Sequence, residues 1–299
     1  MQSIIQTNFT GIDGLELVSM PQPTLTDDGV LIQMQTLPVV PTDWKRESNS
    51  HATNEQAAQL PRVIGIGGVG TIIQVGKNRD QALLNQRVLV MNPAGSYSEI
   101  ILSENPDFIF PLPDTVDDAS AAALTAGPGT ALALKHEIDQ SSADNIIITG
   151  ANSVIGLYLI QLLGEPNQTL WPIVSPQSQA YFHRQLPGQP AYQVEDLPQL
   201  SGYSLIIDIA GSRPLIDQLL SRCPNPSLIS IVLMAYEGPE PFKFVHEEFD
   251  ADQYRQFITQ LATQKLWAPI DRTFPVQDIK QAQHYAKDSH SRGRVLVSF

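Results

Sequence analysis

The stretch NIIITGANSVIGLYLIQLLG, residues 145–164, decides the fold of this chain. Residues 146–149, three isoleucines and a threonine, form a short apolar run typical of a buried parallel strand. The small residues at 150–153 predict a tight turn, and 154–163 predicts a largely apolar helix that ends at Gly164. A strand that turns directly into a helix points the unpaired N–H groups of the helix at the turn, so the stretch predicts an anion site.

The turn carries an altered form of the dinucleotide fingerprint G-x-G-x-x-G, in which three glycines let a pyrophosphate approach the backbone. Its glycine positions hold Ala151, Ser153 and Gly156. Alanine and serine are the next smallest residues, so a pyrophosphate still has room. A buried strand–helix joint without a ligand explains the same letters equally well, and the choice between the two depends on the rest of the chain.

Composition and charge narrow the class of protein. A chain of 299 residues with 42% hydrophobic residues is long enough for about two globular domains. No apolar run is long enough for a membrane span, and no basic segment followed by an apolar one opens the chain, so we expect neither a span nor a signal peptide. The single cysteine, Cys223, excludes an internal disulfide and indicates a reducing cytoplasm. A net charge of −13 disfavours nucleic acid and anionic membranes as partners, whereas a small anionic ligand needs only a local basic pocket.

Two kinds of pattern follow one another along the chain. Residues 1–113 read mostly as short strands separated by Pro, Gly, Asn and Asp, which predicts a compact antiparallel barrel or sandwich. The four glycines within 65–70 lie in a strand pattern that no helix follows, so bends in a small barrel explain them better than phosphate binding. Residues 112–138 predict two short helices. From 145 onward strands alternate with helices, which indicates a doubly wound parallel sheet, and the tail adds two helices and a final strand.

Six short segments along the chain form a further pattern. They are PTDWK (41–45), LPRVIGIGGVGTIIQVG (60–76), GSYSEIIL (95–102), ALTAGPGTALAL (123–134), GANSVIG (150–156) and SRGRVLVSF (291–299). In this order they resemble the N-P-x-D segment, the P-x-x-x-G-x-E-x-x-G-x-V-x-x-V-G run, the G-x-Y-A-E and L-T-A-x-x-T-A segments, the nucleotide turn and the closing G-K-I-V-L strand of one family. That family is the zinc-independent branch of the medium-chain dehydrogenases/reductases, which includes quinone oxidoreductases and 2-enoyl reductases.

The resemblance implies an α/β fold with two domains. These are an N-terminal GroES-like β-barrel domain, residues 1–117 and 266–299, and a Rossmann domain with a doubly wound parallel sheet, residues 118–265. The chain departs from the family pattern at Gly67, where the family has a glutamate, and at Val40, where it has an asparagine. Zinc-dependent relatives use a cysteine, a His-Glu pair and a four-cysteine lobe, none of which is present here, so we expect no metal site.

A nicotinamide cofactor, lying across the cleft between barrel and sheet, is implied by the same resemblance. NAD requires a carboxylate after the second strand of such a sheet to accept from the ribose 2′-OH. The strand LWPIV is followed instead by Ser175 and Gln177, with Tyr181 and Arg184 downstream, and a hydroxyl with a guanidinium suits the 2′-phosphate of NADPH. Arg184 as a solvated helix residue is an equally open interpretation.

We therefore predict NADPH as the cofactor. The residues expected to contact it are Thr125, Gly150, Ala151, Asn152, Ser153, Val154, Ile155, Gly156, Ser175, Gln177, Tyr181, Arg184, Ala210, Gly211, Met234, Ala235, Tyr236 and Arg292.

Hydride delivery to a quinone, or to the β-carbon of an enone, is the reaction that the resemblance implies. The protein would supply orientation, an apolar slot and a proton donor. The predicted catalytic residues are Asp43, Trp44, Lys45 and Tyr236. Trp44 is a candidate stacking wall and Lys45 a candidate partner for an oxyanion, while Tyr236 as a purely supporting aromatic stays open. Enoyl-thioester reductases of this branch use a tyrosine soon after N-P-x-D, and residues 43–56 contain none, which favours a quinone or small enone.

Two other functions remain open on the sequence. One is a catalytically idle NADPH-binding scaffold or redox sensor, which the altered glycine motif and the missing glutamate favour. The other is an enoyl-thioester reductase. The expected partners are a small-molecule substrate and a second copy of the chain, since relatives commonly dimerise by joining sheet edges, here through 228–236 and 241–246.

Overall fold

The protein forms two compact units, Met1–Ala126 with Asp250–Phe299, and Gly127–Phe249. The computed structural model describes residues 1–49, 51–238, 241–289 and 292–299. Its strands are β1 (Gln2–Gln6), β2 (Leu15–Ser19), β3 (Val30–Val39), β4 (Arg62–Val63), β5 (Gly67–Val75), β6 (Arg87–Met91), β7 (Ile100–Ser103), β8 (Ile109–Pro111), β9 (Asn145–Thr149), β10 (Thr169–Ile173), β11 (Ser204–Asp208), β12 (Pro226–Ser230), β13 (Phe242–Phe244), β14 (Ile270–Pro275) and β15 (Arg294–Ser298). Its helices are α1 (Pro41–Glu47), α2 (Asn54–Ala58), α3 (Asp118–Ala123), α4 (Pro128–Gln140), α5 (Val154–Leu163), α6 (Gln179–Gln185), α7 (Arg213–Arg222), α8 (Ala251–Ala262) and α9 (Ile279–Asp288).

The first unit is built on a barrel-like sheet in the order β14-β15-β3-β5-β6-β8, with β7 also paired to β3, and on a three-stranded sheet in the order β2-β1-β4. All of these pairs are antiparallel except β14 with β15. Its core contains Ile32, Met34 and Val88, each at most 1% exposed. The predicted barrel of short strands is confirmed, and it is the GroES-like part of the fold.

The glycine-rich run lies in β5, as expected for bends in a barrel. A Cβ at Gly70 would lie 2.4 Å from the Gln33 carbonyl oxygen of β3, so only glycine lets the two strands approach this closely. The run therefore serves strand packing.

Two helices, α1 and α2, occur in the region that we expected to be mostly β. Helix α1 begins at Pro41, directly after β3, and Asp43 closes its first turn by accepting a hydrogen bond from the Val40 N–H at 2.9 Å. Proline at the first position and a carboxylate at the third are both favourable at a helix start. The short element was hidden because it has too few residues to show a helical period.

The second unit carries a five-stranded sheet in the order β10-β9-β11-β12-β13, in which every pair is parallel. This is the Rossmann-type sheet that alternating strands and helices predicted. The strand order reverses at β9, which lies between β10 and β11, and ligands of such sheets bind at the carboxyl ends of the strands next to the reversal. Its strand β12 ends at Ser230.

The divisions between the units lie after Ala126 and after Phe249, whereas we expected them after residues 117 and 265. Helix α3 belongs to the first unit because it packs on β3 and β5, and α8 belongs there because it packs on α3. Among the described residues, no helix is long and apolar enough to cross a membrane.

Candidate functional site

The strand–turn–helix of β9 and α5 has the geometry that its sequence predicted. Every residue of β9 is buried. The backbone turns at Gly150, whose φ of +62° is a left-handed conformation that glycine adopts at little cost. Ser153 caps α5, because its hydroxyl oxygen accepts a hydrogen bond from the Gly156 N–H at 3.1 Å.

Gly156 is the position of the motif that tolerates no side chain. A Cβ there would lie 2.6 Å from the Ala151 carbonyl oxygen and 2.7 Å from the Ala151 Cα. Helix and turn are therefore in direct backbone contact, which is the role of the last glycine in a dinucleotide fingerprint.

The first turn of α5 leaves donors available. Within the described residues, no group accepts a hydrogen bond from the backbone N–H of Val154 or Ile155. Two open N–H groups at the amino end of a ten-residue helix, beside a turn of small residues, form a site for an anionic group. The arrangement fits the diphosphate of a dinucleotide.

A buried polar network, which the sequence analysis missed, joins the carboxyl ends of three strands. The Asp208 carboxylate of β11 accepts hydrogen bonds from the hydroxyls of Thr149 in β9 and Ser230 in β12, each at 2.8 Å. It also accepts one from the Gly211 N–H at 2.9 Å. All three side chains are 0% exposed. The available signal was a polar residue at the end of each of three apolar strands.

The network also shapes the turn that follows β11. The Thr149 hydroxyl oxygen accepts hydrogen bonds from the N–H groups of Ile209 and Ala210, at 3.1 and 3.2 Å. A Cβ at Gly150 would lie 3.3 Å from the Ala210 nitrogen. The structure thus brings the two predicted cofactor segments, 150–156 and 210–211, together at the carboxyl ends of β9 and β11.

Beyond β10, the predicted partners of the 2′-phosphate are divided between surface and core. Ser175 and Gln177 are exposed directly after the strand, and the Ser175 hydroxyl donates to the Ser178 hydroxyl at 3.2 Å. Arg184 is exposed in the last turn of α6, whereas the Tyr181 side chain is only 7% exposed. Ser175, Gln177 and Arg184 are therefore the members of this set that solvent reaches.

The segment after β12 is exposed. Met234 is 80% exposed and Ala235 is also on the surface. The Tyr236 hydroxyl donates to the Asp217 carboxylate of α7 at 2.7 Å, and its ring packs beside Phe242. Tyr236 therefore contacts α7 and β13, and its role beside a coenzyme stays a prediction.

In the first unit, the PTDWK segment forms most of α1. Asp43 is 5% exposed, Trp44 is half-buried against the barrel core, and Lys45 is exposed. Burial raises the pKa of Asp43 to about 7, and the neighbouring Glu47 carboxylate adds to the rise. A carboxyl that exchanges its proton near neutral pH is suited to acid–base chemistry.

Glu47, one helical turn after Asp43, is a second buried carboxyl that the sequence analysis did not single out. It is 1% exposed, and its Oε1 accepts a hydrogen bond from the Gln283 Nε2 of α9 at 2.9 Å. Burial raises the pKa of Glu47 to about 7 as well. The spacing of four residues from Asp43 on a helix was the signal that could have identified it.

The remaining predicted residues lie in the first unit. The Thr125 hydroxyl donates to the Ala122 carbonyl at 2.8 Å and is buried, and Arg292 is exposed. Arg294, by contrast, is buried and donates to the carbonyls of Val39 at 3.1 Å and Ala126 at 2.7 Å. Arg294 thereby fixes the backbone at the start of α1. Within the described ranges, no group of three or more His, Cys, Asp or Glu residues lies close enough to hold a metal ion.

The two raised pKa values predict how stability depends on pH. Between the ordinary values of 3.8 and 4.5 and the folded values of about 7, the folded state binds more protons than the unfolded state. We therefore expect the free energy of unfolding to fall by several kcal/mol, roughly 5–8 kcal/mol for the two groups together, as pH rises through that window, and this contribution to be constant above it. Urea denaturation across the window measures the slope, and the double variant Asp43→Asn, Glu47→Gln is the reference because neither amide titrates. Equal slopes for the two proteins would contradict the assignment.

Known proteins resemble this chain in sequence and in structure. Residues 26–114 match the alcohol dehydrogenase GroES-like domain. A mitochondrial enoyl-[acyl-carrier-protein] reductase of Caenorhabditis elegans is 29% identical over 153 residues, 49% of this chain and 43% of that protein. A protein of the same name in Xenopus tropicalis is 24% identical over 217 residues, 72% of this chain and 57% of that protein. The quinone oxidoreductase of Coxiella burnetii superposes with a TM-score of 0.77 at 17% identity, covering 100% of this chain and 99% of that one.

The chain spans about half the length of the curated relatives it matches. Its GroES-like domain and its parallel five-stranded sheet have the two-domain α/β fold of the medium-chain dehydrogenases/reductases, which this chain resembles.

Proposed function

We propose that this protein is an oxidoreductase that uses NADPH to reduce a quinone or a small α,β-unsaturated carbonyl compound without zinc. The observation that carries the proposal is the β9–α5 turn, where Gly156 is in backbone contact with Ala151 and two N–H groups are open to an anion. Residues 150–156 would hold the diphosphate, and 210–211 would flank the adenosine side. The single cysteine supports zinc-free chemistry, because the zinc sites of relatives use several.

NADPH is favoured over NADH by the charge at the end of β10. No Asp or Glu occurs between residues 170 and 184, so no carboxylate there repels a 2′-phosphate or accepts from a 2′-OH. Ser175 and Gln177 offer exposed hydrogen-bonding groups, and Arg184 offers an exposed cation on the helix that follows.

We expect Arg184→Gln to weaken NADPH binding by roughly tenfold and to leave NADH binding within about twofold, since a charge-assisted bond to a phosphate contributes about 1–3 kcal/mol. Calorimetric titration of both coenzymes measures the two affinities. His183→Gln is the matched control, because His183 is exposed on the same turn of α6. An equal loss for NADPH and NADH would show that Arg184 does not contact the phosphate.

The chemistry needs a hydride and a proton. NADPH, when bound, supplies the hydride. The protein's part is to orient the substrate and, for an enone, to deliver a proton to the carbanion that the hydride creates. Asp43 is the residue of α1 whose pKa, raised by burial to about 7, suits that delivery, and the exposed Lys45 would offset negative charge on the substrate oxygen.

An enoyl-thioester reductase is the second candidate, and the names of the C. elegans and X. tropicalis relatives favour it. The observation against it is the absence of a tyrosine from residues 43–56. The test is the loss of NADPH absorbance with three substrate classes: quinones, small enones and enoyl thioesters. Turnover of quinones or small enones supports the proposal, and turnover confined to enoyl thioesters selects the second candidate. Tight NADPH binding with no turnover in any class selects the idle scaffold or redox sensor.

A further inference from the structure

A small cavity of about 40 Å³ lies beside α1 in the first unit. The ionisable residues that line it are Asp43, Arg46, Glu47 and Arg62. Asp43 and Glu47 are four residues apart on one helix, so both carboxyls reach the same face and the same cavity. Because a buried water needs at least roughly 10–15 Å³, the cavity has room for a water molecule between the two acids.

Glu47 has one oxygen that no protein group satisfies. Its Oε1 accepts the Gln283 amide N–H, but Glu47 Oε2 and Gln283 Oε1 are both buried and have no hydrogen-bond partner among the described residues. Gln283 itself is 0% exposed. Two acceptors left over from one carboxyl–amide contact are satisfied when the carboxyl carries a proton, because the acid O–H becomes a donor to Gln283 Oε1 or to water in the cavity.

The charges around the cavity allow this proton to move. Arg62 of β4 is half-buried. Its Nε and Nη2 donate hydrogen bonds to Gln6 Oε1 at 2.9 and 2.8 Å, which keep the guanidinium beside Glu47. The negative charges of both acids raise the pKa of the buried Tyr97. Arg46 of α1 and Arg294 of β15 lower the pKa of Asp43 through their positive charges. These cations favour the ionised forms while burial opposes them, and the balance leaves the pKa of each acid at about 7.

We propose that Asp43 and Glu47, connected by water in this cavity, form a proton-supplying pair for the reduction, with Glu47 as the reserve acid behind Asp43. The inference rests on the proposed function. Asp43 breaks its O–H bond as the proton goes to the α-carbon of the enone after hydride addition. The Asp43 carboxylate then takes a proton from cavity water, that water takes one from the Glu47 O–H, and Glu47 regains a proton from solvent. One proton is consumed for each hydride.

The reserve proton on Glu47 is tested by infrared difference spectroscopy of the protein without substrate. A protonated carboxyl has a C=O band that is separate from the carboxylate bands. We expect such a band below pH 7 and its loss above pH 7. Asp43→Asn leaves Glu47 as the acid that gives this band, with a midpoint near its value of about 7, and the double variant Asp43→Asn, Glu47→Gln should lack the band. Glu16→Gln, at an exposed carboxyl of β2, is the control and should keep the band. An Asp43→Asn spectrum without the band, or a band that the double variant retains, would overturn the proposal.

The supply role is tested by comparing two substrates. A quinone takes its proton on oxygen from water, whereas an enone needs one at carbon, so Glu47→Gln should lower the enone-to-quinone ratio of kcat roughly tenfold and displace the pH profile for the enone. If Glu47→Gln does not fold, Gln283→Met replaces it, and the band midpoint should shift. An unchanged ratio, or an unchanged midpoint, would overturn the supply role. The proposed function fails separately, since it requires NADPH oxidation by either substrate in the wild-type protein.

Discussion

Gly156→Ala is expected to lower the free energy of unfolding by about 1–3 kcal/mol and to weaken NADPH binding by roughly tenfold or more. The added Cβ would lie 2.6 Å from the Ala151 carbonyl oxygen, so α5 must move away from the turn at 150–153. That movement also displaces the open N–H groups of Val154 and Ile155 from the diphosphate. Urea denaturation measures the first effect, and calorimetric titration with NADPH measures the second.

Gly164→Ala separates this clash from the general cost of replacing a glycine. Gly164 follows the other end of α5, its φ is +61°, and nothing lies within 4 Å of an added Cβ. Its cost therefore comes from backbone conformation alone, about 1 kcal/mol, and coenzyme affinity should not change. If Gly156→Ala bound NADPH as well as Gly164→Ala, the close contact at 156 would have no part in binding.

Asp208→Ala is expected to cost about 3–5 kcal/mol of stability. The substitution leaves the hydroxyls of Thr149 and Ser230 and the N–H of Gly211 without their shared acceptor, in a place that water does not reach. Ser230→Ala should cost less, about 2–3 kcal/mol, because it leaves the carboxylate two donors while it removes the acceptor of the Val232 and Leu233 N–H groups. Thermal or urea unfolding of the three proteins gives the order.

The matched control for Asp208→Ala is Asp196→Ala, at an exposed carboxylate in the same unit, which should change stability by less than about 0.5 kcal/mol. Similar costs at positions 208 and 196 would mean that the network contributes nothing to the sheet. A large loss of NADPH affinity in Ser230→Ala at unchanged stability would show that the network also orders the turn at 209–211.

The elements that could be predicted are those whose start and end signals lie close together in the sequence. Helix 154–163 was predicted with the bounds that α5 has, because Ser153 caps one end and Gly164 ends the other. Strands β9 to β12 of the parallel sheet were predictable for the same reason, since each is a short, mostly apolar run bounded by polar residues. Strand β13, Phe242–Phe244, has a lysine at its centre and lacks that signal. Helices α1 and α2 were missed because each has at most seven residues, fewer than a helical period needs to become visible.

The parts of the site that were not predictable depend on partners distant in sequence. Asp208 meets Thr149 and Ser230 only because β9, β11 and β12 are neighbours in the sheet. The sequence around Glu47 is that of an ordinary helix carboxylate, because its hydrogen-bond partner Gln283 lies 236 residues later, in α9. Tyr236 could be named from its position after β12, but its bond to Asp217 depends on how α7 packs. Local pattern located the elements, and tertiary packing decided which polar residues are buried.

Calorimetric titration of the wild-type protein with NADPH and with NADH tests the central claim most directly. We predict saturable uptake of NADPH by one site per chain, with an affinity at least about tenfold higher than for NADH, and a marked loss in Gly156→Ala. Folded protein that takes up neither coenzyme would contradict it.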